Sequence, residues 1–325
     1  MAEKQPTLSI VTISWNQMGD IVEYLAAMQK SRGECVFPIE MILVDNGSRD
    51  GTPEMVERDY PWVKLIRNPK NEGFAAGCNV GLHAATGEFL MLLNPDAKAI
   101  GASLEGMVRF LQKHSDVGGV GCQLLHDDGL PQKSAYRELS ALAYIQNNSM
   151  LYPVMEKLNK VLHKSGLFRR TQPYSVGWVQ ASCLIVPRRV YDKVGDLEAS
   201  FFIYCEDTDW CHRIRKAGFR IVHMPNLQLP HKQKGSVNRR PEFFFRRVYR
   251  SIVHYTNRQF KGSTKENIFR AMLLDMRLRR PVYRLAAFLK PARREGLAER
   301  LRSVDRMIEI IKARDPDLYD DPPPR

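Results

Sequence analysis

Cysteine is scarce and scattered: Cys35, Cys78, Cys122, Cys183, Cys205 and Cys211 form no Cys-x-x-Cys pair and no dense framework. That pattern argues against a disulfide-stapled secreted scaffold and for a reducing compartment. Long apolar runs are missing as well. The longest, such as EFLMLLN, fall far short of the roughly 20 residues a membrane-spanning helix needs. The opening MAEKQPTLSIVTISWN has no basic segment followed by an apolar one, so no signal peptide is expected. No G-x-G-x-x-G follows the first apolar run, which counts against a dinucleotide site, and no G-x-x-x-x-G-K-[ST] occurs, which counts against a P-loop phosphotransferase. The glycines of NEGFAAGCNVG lack the dinucleotide spacing, and a glycine-rich turn is their plain alternative. There is no internal repeat.

What is present in excess is positive charge, and it is unevenly placed. The 325-residue chain carries a formal net charge of +13. Residues 231–325 hold 24 Lys and Arg against 11 Asp and Glu, whereas residues 1–230 balance at 25 of each. The basic third implies either an anionic partner (nucleic acid, an anionic membrane surface or a phosphorylated substrate) or a solvated helical face. Its clearest stretch, FFFRRVYRSIVHYTNRQF, sets Arg246, Arg247 and Arg250 among Phe243, Phe244, Phe245, Val248 and Tyr249 at helical spacing. Such a helix suits an anionic membrane, or packing against the rest of the chain.

Along the chain, apolar runs alternate with helical periodicity. LSIVTISW, IEMILVD, VKLIRN and EFLMLLN read as buried strands. DIVEYLAAMQK reads as a helix with Asp20 as N-cap, Thr52–Pro53 opens another, and a short helix follows NEGF and stops at Gly87. A helix over about 102–114, the strand-like GGVGCQLL, and a strand and short helix in GWVQASCLIVPRRVYDKVG follow, while 126–172 reads as an irregular basic insertion and DPDLYDDPPPR as a frayed end. The alternation predicts an α/β fold with a parallel sheet covered by helices on both faces. A boundary is expected at 240, with a helical, basic region over 241–325.

Ligands of open α/β sheets bind at the carboxyl ends of the strands. Three polar loops leave such ends: Ser14-Trp15-Asn16, Asp45-Asn46-Gly47-Ser48 and Asn94-Pro95-Asp96. Further on, FFIYCEDTDWCHRIRKAG sets Glu206, Asp207 and Asp209 among aromatic residues, where a carboxylate is costly to desolvate. They either cap a helix or perform chemistry.

The blocks ILVDNGSRDGT, NEGFAAGCNVG, LLNPDA, FFIYCEDTDWCHRIRKAG and HKQKGS, in that order, resemble a family 2 glycosyltransferase, most closely its bacterial rhamnosyltransferase-like branch, over about residues 7–258. The resemblance implies a GT-A fold, a Rossmann-like α/β domain over 1–240 built around a nucleotide-diphospho-sugar. It implies inverting transfer of a hexose, L-rhamnose from a dTDP donor or a hexose from a UDP donor. The implied acceptor is a polyprenyl-diphosphate-linked glycan or a polysaccharide, at the cytoplasmic face of the membrane. On this pattern Asp45 accepts hydrogen bonds from the base or ribose, with Thr12, Ser14, Asn16, Asn46, Ser48 and Asn79 in the same pocket. Asn71 and Gly73 let the backbone approach the nucleotide. Asp96 ends a DxD-like element that ligates Mg²⁺ or Mn²⁺, with His231 as a further ligand, while Asn94 stands where many relatives have a first Asp. Asp207 is the general base, Glu206 and Asp209 orient the acceptor or cap the helix, Trp210 stacks on a sugar, and Trp178 and Gln180 face the acceptor. Arg213 and Arg215 contact phosphate or pair with these acids. Nucleic acid is not expected as a partner, because arginine dominates the basic third and the acids gather where a sugar site would be.

Overall fold

The computed structural model describes residues 7–164, 170–232, 241–289 and 294–318. Strands and helices follow as β1 (Leu8–Ser14), α1 (Met18–Glu34), β2 (Ile39–Asp45), α2 (Thr52–Asp59), β3 (Lys64–Arg67), α3 (Phe74–Ala84), β4 (Phe89–Leu93), α4 (Gly101–Lys113), β5 (Val117–Leu125) and β6 (Ala135–Tyr136). Next come α5 (Ala141–Asn148), α6 (Tyr152–Lys164), β7 (Tyr174–Val176), β8 (Trp178–Val179), β9 (Cys183–Pro187), α7 (Arg188–Val194), α8 (Glu206–Lys216) and β10 (Arg220–Pro230). The helices α9 (Pro241–Gln259), α10 (Gly262–Leu289) and α11 (Arg294–Ala313) complete the set.

The chain divides into two compact units, one of Met1–Arg137, Arg169–Phe202 and Glu206–Gly235, the other of Glu138–Phe168, Ile203–Cys205 and Ser236–Arg325. The first is built on an eight-stranded sheet of order β3-β2-β1-β4-β9-β5-β10-β7. Strand β1 lies at the centre of a parallel half, Ser14 pairing with Asp45 and Val11 with Leu92. Every residue of β1 and β4 is buried, as strands covered on both faces require. Leu8 and Ile10 pack with Tyr24, Leu25 and Met28 of α1 and Met107 of α4 in one core. On the opposite face α3 lies so close to the sheet that a Cβ on Gly81 would meet Val11 Cγ1 at 2.3 Å.

Four sequence expectations need correction. The sheet is not purely parallel: β9 runs antiparallel between β4 and β5, and β7 antiparallel to β10. Nothing in an apolar run encodes its direction. Asp20 is not the cap of α1; the Met18 N–H donates to Asp50 Oδ2 at 2.9 Å, a cap supplied from the β2–α2 loop. The stretch 126–172 is not irregular, since it contains α5, capped by the Ser140 hydroxyl accepting from the Ala143 N–H, and α6; residues 165–169 lie outside the described residues. The division is also not a single cut at 240. Residues 138–168 join the second unit because Tyr144 is buried in its core and its hydroxyl donates to Asp275 Oδ2 at 3.0 Å.

The second unit is helical. Tyr249, Ile252 and Val253 of α9 pack with Met272 and Met276 of α10 and Ile308 and Ile311 of α11. Its buried polar centre is Arg279, which bonds Asp275 Oδ2, the Tyr249 hydroxyl and the Asn148 carbonyl. The apolar face of α9 is thus a core face rather than a membrane face, with Arg246 bonded to the Ser303 hydroxyl and Arg250 to Asp317. The side chains of Phe243 and Phe244, the KGS of the HKQKGS block and residues 319–325 of the expected frayed end lie outside the described residues. No described helix is long and apolar enough to cross a membrane.

Candidate active site

The loops after β1 and β2 meet through their own side chains, and the loop after β4 leaves the same carboxyl edge of the sheet. Asn46 donates to Asn71 Oδ1 and to the Gly73 carbonyl, both at 3.0 Å, and accepts from Asn68 and from the Glu72 N–H. Its amide is saturated, so Asn46 is a strut between the β2 and β3 loops, as is Asn71, which also accepts from the Gly73 N–H. Gly73 sits at φ 94° and a Cβ there would lie 2.5 Å from the Phe202 carbonyl oxygen, so only glycine fits. The Phe74 N–H donates to that same carbonyl at 2.7 Å, tying this loop to the segment before α8.

Asp45 is buried, and its two oxygens differ. Oδ2 accepts from the Gly47 and Ser48 N–H groups, while Oδ1 is buried with no partner among the described residues. The Ser14 hydroxyl, on the paired strand end, is equally buried and unpartnered. An unsatisfied carboxylate oxygen beside an unsatisfied strand end is costly unless a ligand or water completes it. Other residues expected in this pocket do framework work. Thr12 is fully buried, hydrogen-bonding Tyr24 at 2.6 Å and the Leu93 carbonyl at 2.8 Å, so it faces the core and does not line the pocket. Asn79 clamps Leu197 through both N–H and carbonyl. Asn16 (φ 52°) donates its N–H to Ser48 Oγ and accepts from the Arg49 N–H, joining the first two loops.

Residues 96–98 and 230–232 zip together: the Lys98 N–H donates to the Pro230 carbonyl and the Lys232 N–H to the Asp96 carbonyl. This brings His231 Nε2 to 3.2 Å from Asp96 Oδ1, both side chains almost wholly buried. On the other edge of the ring, Nδ1 lies 2.8 Å from Gln132 Oε1. The Gln132 amide nitrogen is committed to the Leu125 and His231 carbonyls, so its oxygen must face the histidine and Nδ1 must carry the proton. Nε2 has no hydrogen-bond partner among the described residues. Nε2 and a carboxylate oxygen thus stand 3.2 Å apart, a separation that two neighbouring ligands of one divalent cation can have. The pair fits such an ion, with Gln132 in the role that orients a ligating histidine. No group of three His, Cys, Asp or Glu side chains suited to a metal occurs among the described residues, so further ligands would be diphosphate oxygens and water. Asn94 turns away from this role, its amide donating to the Ser182 hydroxyl at 3.0 Å.

Glu206, Asp207 and Asp209 stand in the first turn of α8, with Arg213, Arg215 and Lys216 in the last, matching the helix dipole. Their fates differ. Asp209 is fully buried and paired with Arg213 at 2.8 Å, whose other nitrogens donate to the Val194 and Asp196 carbonyls. Trp210 is fully buried with its indole N–H on the Gly195 carbonyl, so it anchors α8 and cannot stack on a sugar. Asp209 and Trp210 are therefore framework, correcting the orienting and stacking roles expected for them. Asp207 is half-buried: Oδ2 accepts from the Ala181 N–H at 3.1 Å and Oδ1 from the Thr208 N–H at 2.7 Å. Burial raises its pKa above the ordinary aspartate range against these hydrogen bonds. Glu206 is buried, its Oε2 has no partner among the described residues, and burial together with the Asp207 charge pushes its pKa well up. Both carboxyls are thus shifted towards holding a proton, Glu206 the more strongly, and they titrate as a pair.

The turn 180–182 joins the two halves: Ala181 binds Asp207, Ser182 binds Asn94, and Cys183 pairs with Leu93 beside it. Gln180 donates to the Tyr136 hydroxyl at 3.3 Å, and Tyr136 stacks on Trp178 with ring centres 4.1 Å apart. Lys133 Nζ lies 5.2 Å from the Tyr136 ring centre. The small sheet β6–β8 thus carries Trp178 and leads through Gln180 into the turn whose Ala181 N–H binds Asp207. Sequence reasoning missed Gln132, Ser182 and Tyr136. A lone glutamine, serine or tyrosine has no spacing signal, and each acts only through a partner distant in the chain.

The chain matches the profile of glycosyl transferase family 2 over residues 9–179, more than half its length. It belongs to that family. It is 26% identical over 248 residues to the N-acetylglucosaminyl-diphospho-decaprenol L-rhamnosyltransferase of Mycobacterium tuberculosis, covering 72% of this chain and 78% of the relative. Among solved structures, a mannosyltransferase of Pyrobaculum calidifontis in complex with GDP-Man and Mn²⁺ superposes with a TM-score of 0.55 at 18% identity, over 96% of this chain and 86% of that one. GalNAc-T7 with UDP, GalNAc and Mn²⁺ gives 0.58 at 16% identity, over 99% of this chain and 59% of that one. The fold is GT-A, a mixed α/β sheet with a helical C-terminal region, and the protein is a family 2 glycosyltransferase.

Proposed function

We propose that this glycosyltransferase moves L-rhamnose from dTDP-L-rhamnose, with inversion, onto a polyprenyl-diphosphate-linked glycan in surface polysaccharide synthesis. The observation that carries the reading is the linkage of Asp207, through one turn, to the Asp96–His231 pair; in this reading Glu206 holds the proton that the two adjoining carboxyls favour and Asp207 is ionised. The choice of rhamnose and of a lipid-linked acceptor rests on the mycobacterial relative. The first unit is the catalytic body; the helical unit serves acceptor delivery at the inner membrane face.

The donor nucleotide satisfies Asp45 Oδ1 and the Ser14 hydroxyl, both unpartnered otherwise. A divalent cation held by Asp96 and His231 would neutralise the diphosphate as it departs. Asp207 accepts the proton of the acceptor hydroxyl, whose oxygen forms the new bond to the anomeric carbon. The old carbon–oxygen bond breaks with its electron pair going to the diphosphate. One base and one in-line displacement give inversion, and a positioned base contributes about 10²–10⁴-fold in rate. Gln180 and the Trp178–Tyr136 stack, beside that base, bind the acceptor sugar.

Thermal shift with a panel of nucleotide sugars, with and without EDTA, tests the donor assignment. Selective stabilisation by dTDP-rhamnose that EDTA removes supports it. Preference for a UDP-hexose replaces rhamnose while keeping the transferase, and no response to any nucleotide sugar with metal present refutes the donor site.

A further inference from the structure

Helix α10 is apolar on two faces. Its inner face, with Ile268, Phe269, Met272 and Met276, belongs to the core of the helical unit. Its outer face carries Leu274, Leu278, Val282, Leu285, Phe288 and Leu289, each 45–82% exposed. At 100° per residue these six fall within roughly 120° of the circumference and form one continuous stripe over four turns. A soluble surface scatters its exposed leucines; it does not align them.

The edge of the stripe is charged in one sense only. Arg270, Arg277 and Arg284 recur every seven residues along it, all exposed and with no carboxylate partner among the described residues. Between Arg270 and Leu289 the sole acid is Asp275, which is buried and bonded to Arg279, the Tyr144 hydroxyl and the Met150 N–H. A second copy of the chain in antiparallel two-fold pairing fits this face badly, because an axis crossing the helix would bring arginine edge to arginine edge. An anionic bilayer fits both features, taking the leucines and Phe288 below the headgroups and the guanidinium groups among the phosphates. The helix is too polar overall to cross a bilayer, which leaves it lying on one.

We propose that the outer face of α10, and not the arginine-rich α9, docks the protein on an anionic membrane surface. The proposal extends the lipid-linked acceptor reading above, and its test needs no turnover, so either can fail alone. The full chain is sedimented with vesicles of phosphatidylglycerol and phosphatidylcholine, and with phosphatidylcholine alone. The parent binds the anionic vesicles. A Leu278→Gln/Leu285→Gln/Phe288→Gln variant loses at least ten-fold in binding with an unchanged melting temperature, since all three side chains are exposed. An Arg270→Gln/Arg277→Gln/Arg284→Gln variant loses about a hundred-fold, at roughly five-fold per arginine near an anionic surface, and no longer distinguishes the two vesicle types. Vesicle binding that survives either triple substitution overturns the proposal. So does sedimentation velocity showing a parent dimer that the apolar variant dissociates, which would assign the stripe to a second copy.

Discussion

Replacing Glu206 by glutamine separates two carboxylates that adjoin in the sequence. Both have raised pKa values, Glu206 from burial first and the neighbouring Asp207 charge second, Asp207 from burial against its hydrogen bonds. If Glu206 is already neutral, Glu206→Gln changes neither charge nor shape, and kcat/KM stays within about three-fold. Asp207→Asn removes the proton acceptor and costs about 10²–10⁴-fold. Stability gives a second readout with a definite sign. A carboxyl whose folded pKa exceeds its unfolded value binds more protons when folded, so folding weakens as pH rises from the ordinary glutamate value of 4.5 towards the raised one. Each pH unit in that window costs about 1.4 kcal/mol, and above the raised value the loss is complete. Urea melts between pH 4 and 9 should show the parent losing stability relative to Glu206→Gln as pH rises past 4.5. For the same reason the acid limb of kcat/KM, which requires ionised Asp207, should lie above the ordinary aspartate value of 3.8. A stability difference that is flat in pH, or a glutamine variant as inactive as Asp207→Asn, would refute the assignment of the proton to Glu206.

Asp209→Ala leaves the Arg213 guanidinium largely buried and without its ion-pair partner at 2.8 Å. Unfolding free energy should fall by about 3–5 kcal/mol, while the KM for acceptor in the surviving folded protein stays near the parent's; a selective rise in that KM would return Asp209 to the acceptor site. Gln132→Met keeps the volume but removes the acceptor of the His231 Nδ1 proton and the donor to two buried carbonyls. Titration calorimetry should show Mn²⁺ affinity down by about 10–100-fold, with a lowered melting temperature; unchanged affinity would show that the tautomer of His231 is not set from this side.

The sequence was readable where function and local pattern coincide. Four apolar runs became β1 to β4, and the three polar loops behind them converge because parallel strands share one carboxyl end. It showed β9 as a strand but was silent on its direction, since CLIVP reads the same either way across the sheet. At the candidate site, residue identity singled out Asp45, Asp96, Asp207 and His231 but did not separate them from polar neighbours that the fold consumes. Asn46, Asn71, Asn79 and Thr12 look like ligand contacts in one dimension, being polar residues in or near the blocks that carry the site, yet each is consumed by a partner 12 to 118 residues away. Asp207 and Asp209 differ by two positions on one helix turn. One keeps solvent access while the other points inward to Arg213, a difference set by the packing of α8 and invisible to spacing.

The framework residues explain why so few side chains are left for chemistry. Asp207, Asn94 and Gln180 hang on one turn, Ala181–Ser182, which continues as β9. That strand is fully buried, running antiparallel between β4 and β5, and its first residue Cys183 pairs with Leu93 just before Asn94. An antiparallel partner necessarily enters the sheet where its parallel neighbours leave it. The antiparallel strand set between β4 and β5 is therefore the one whose entrance can meet their carboxyl ends, where parallel strands gather their loops. A parallel β9 would have put that turn at the opposite edge, with no backbone N–H to hold Asp207 beside Asn94. The reversal that sequence patterning does not encode is what joins Asp207 to the Asp96 loop.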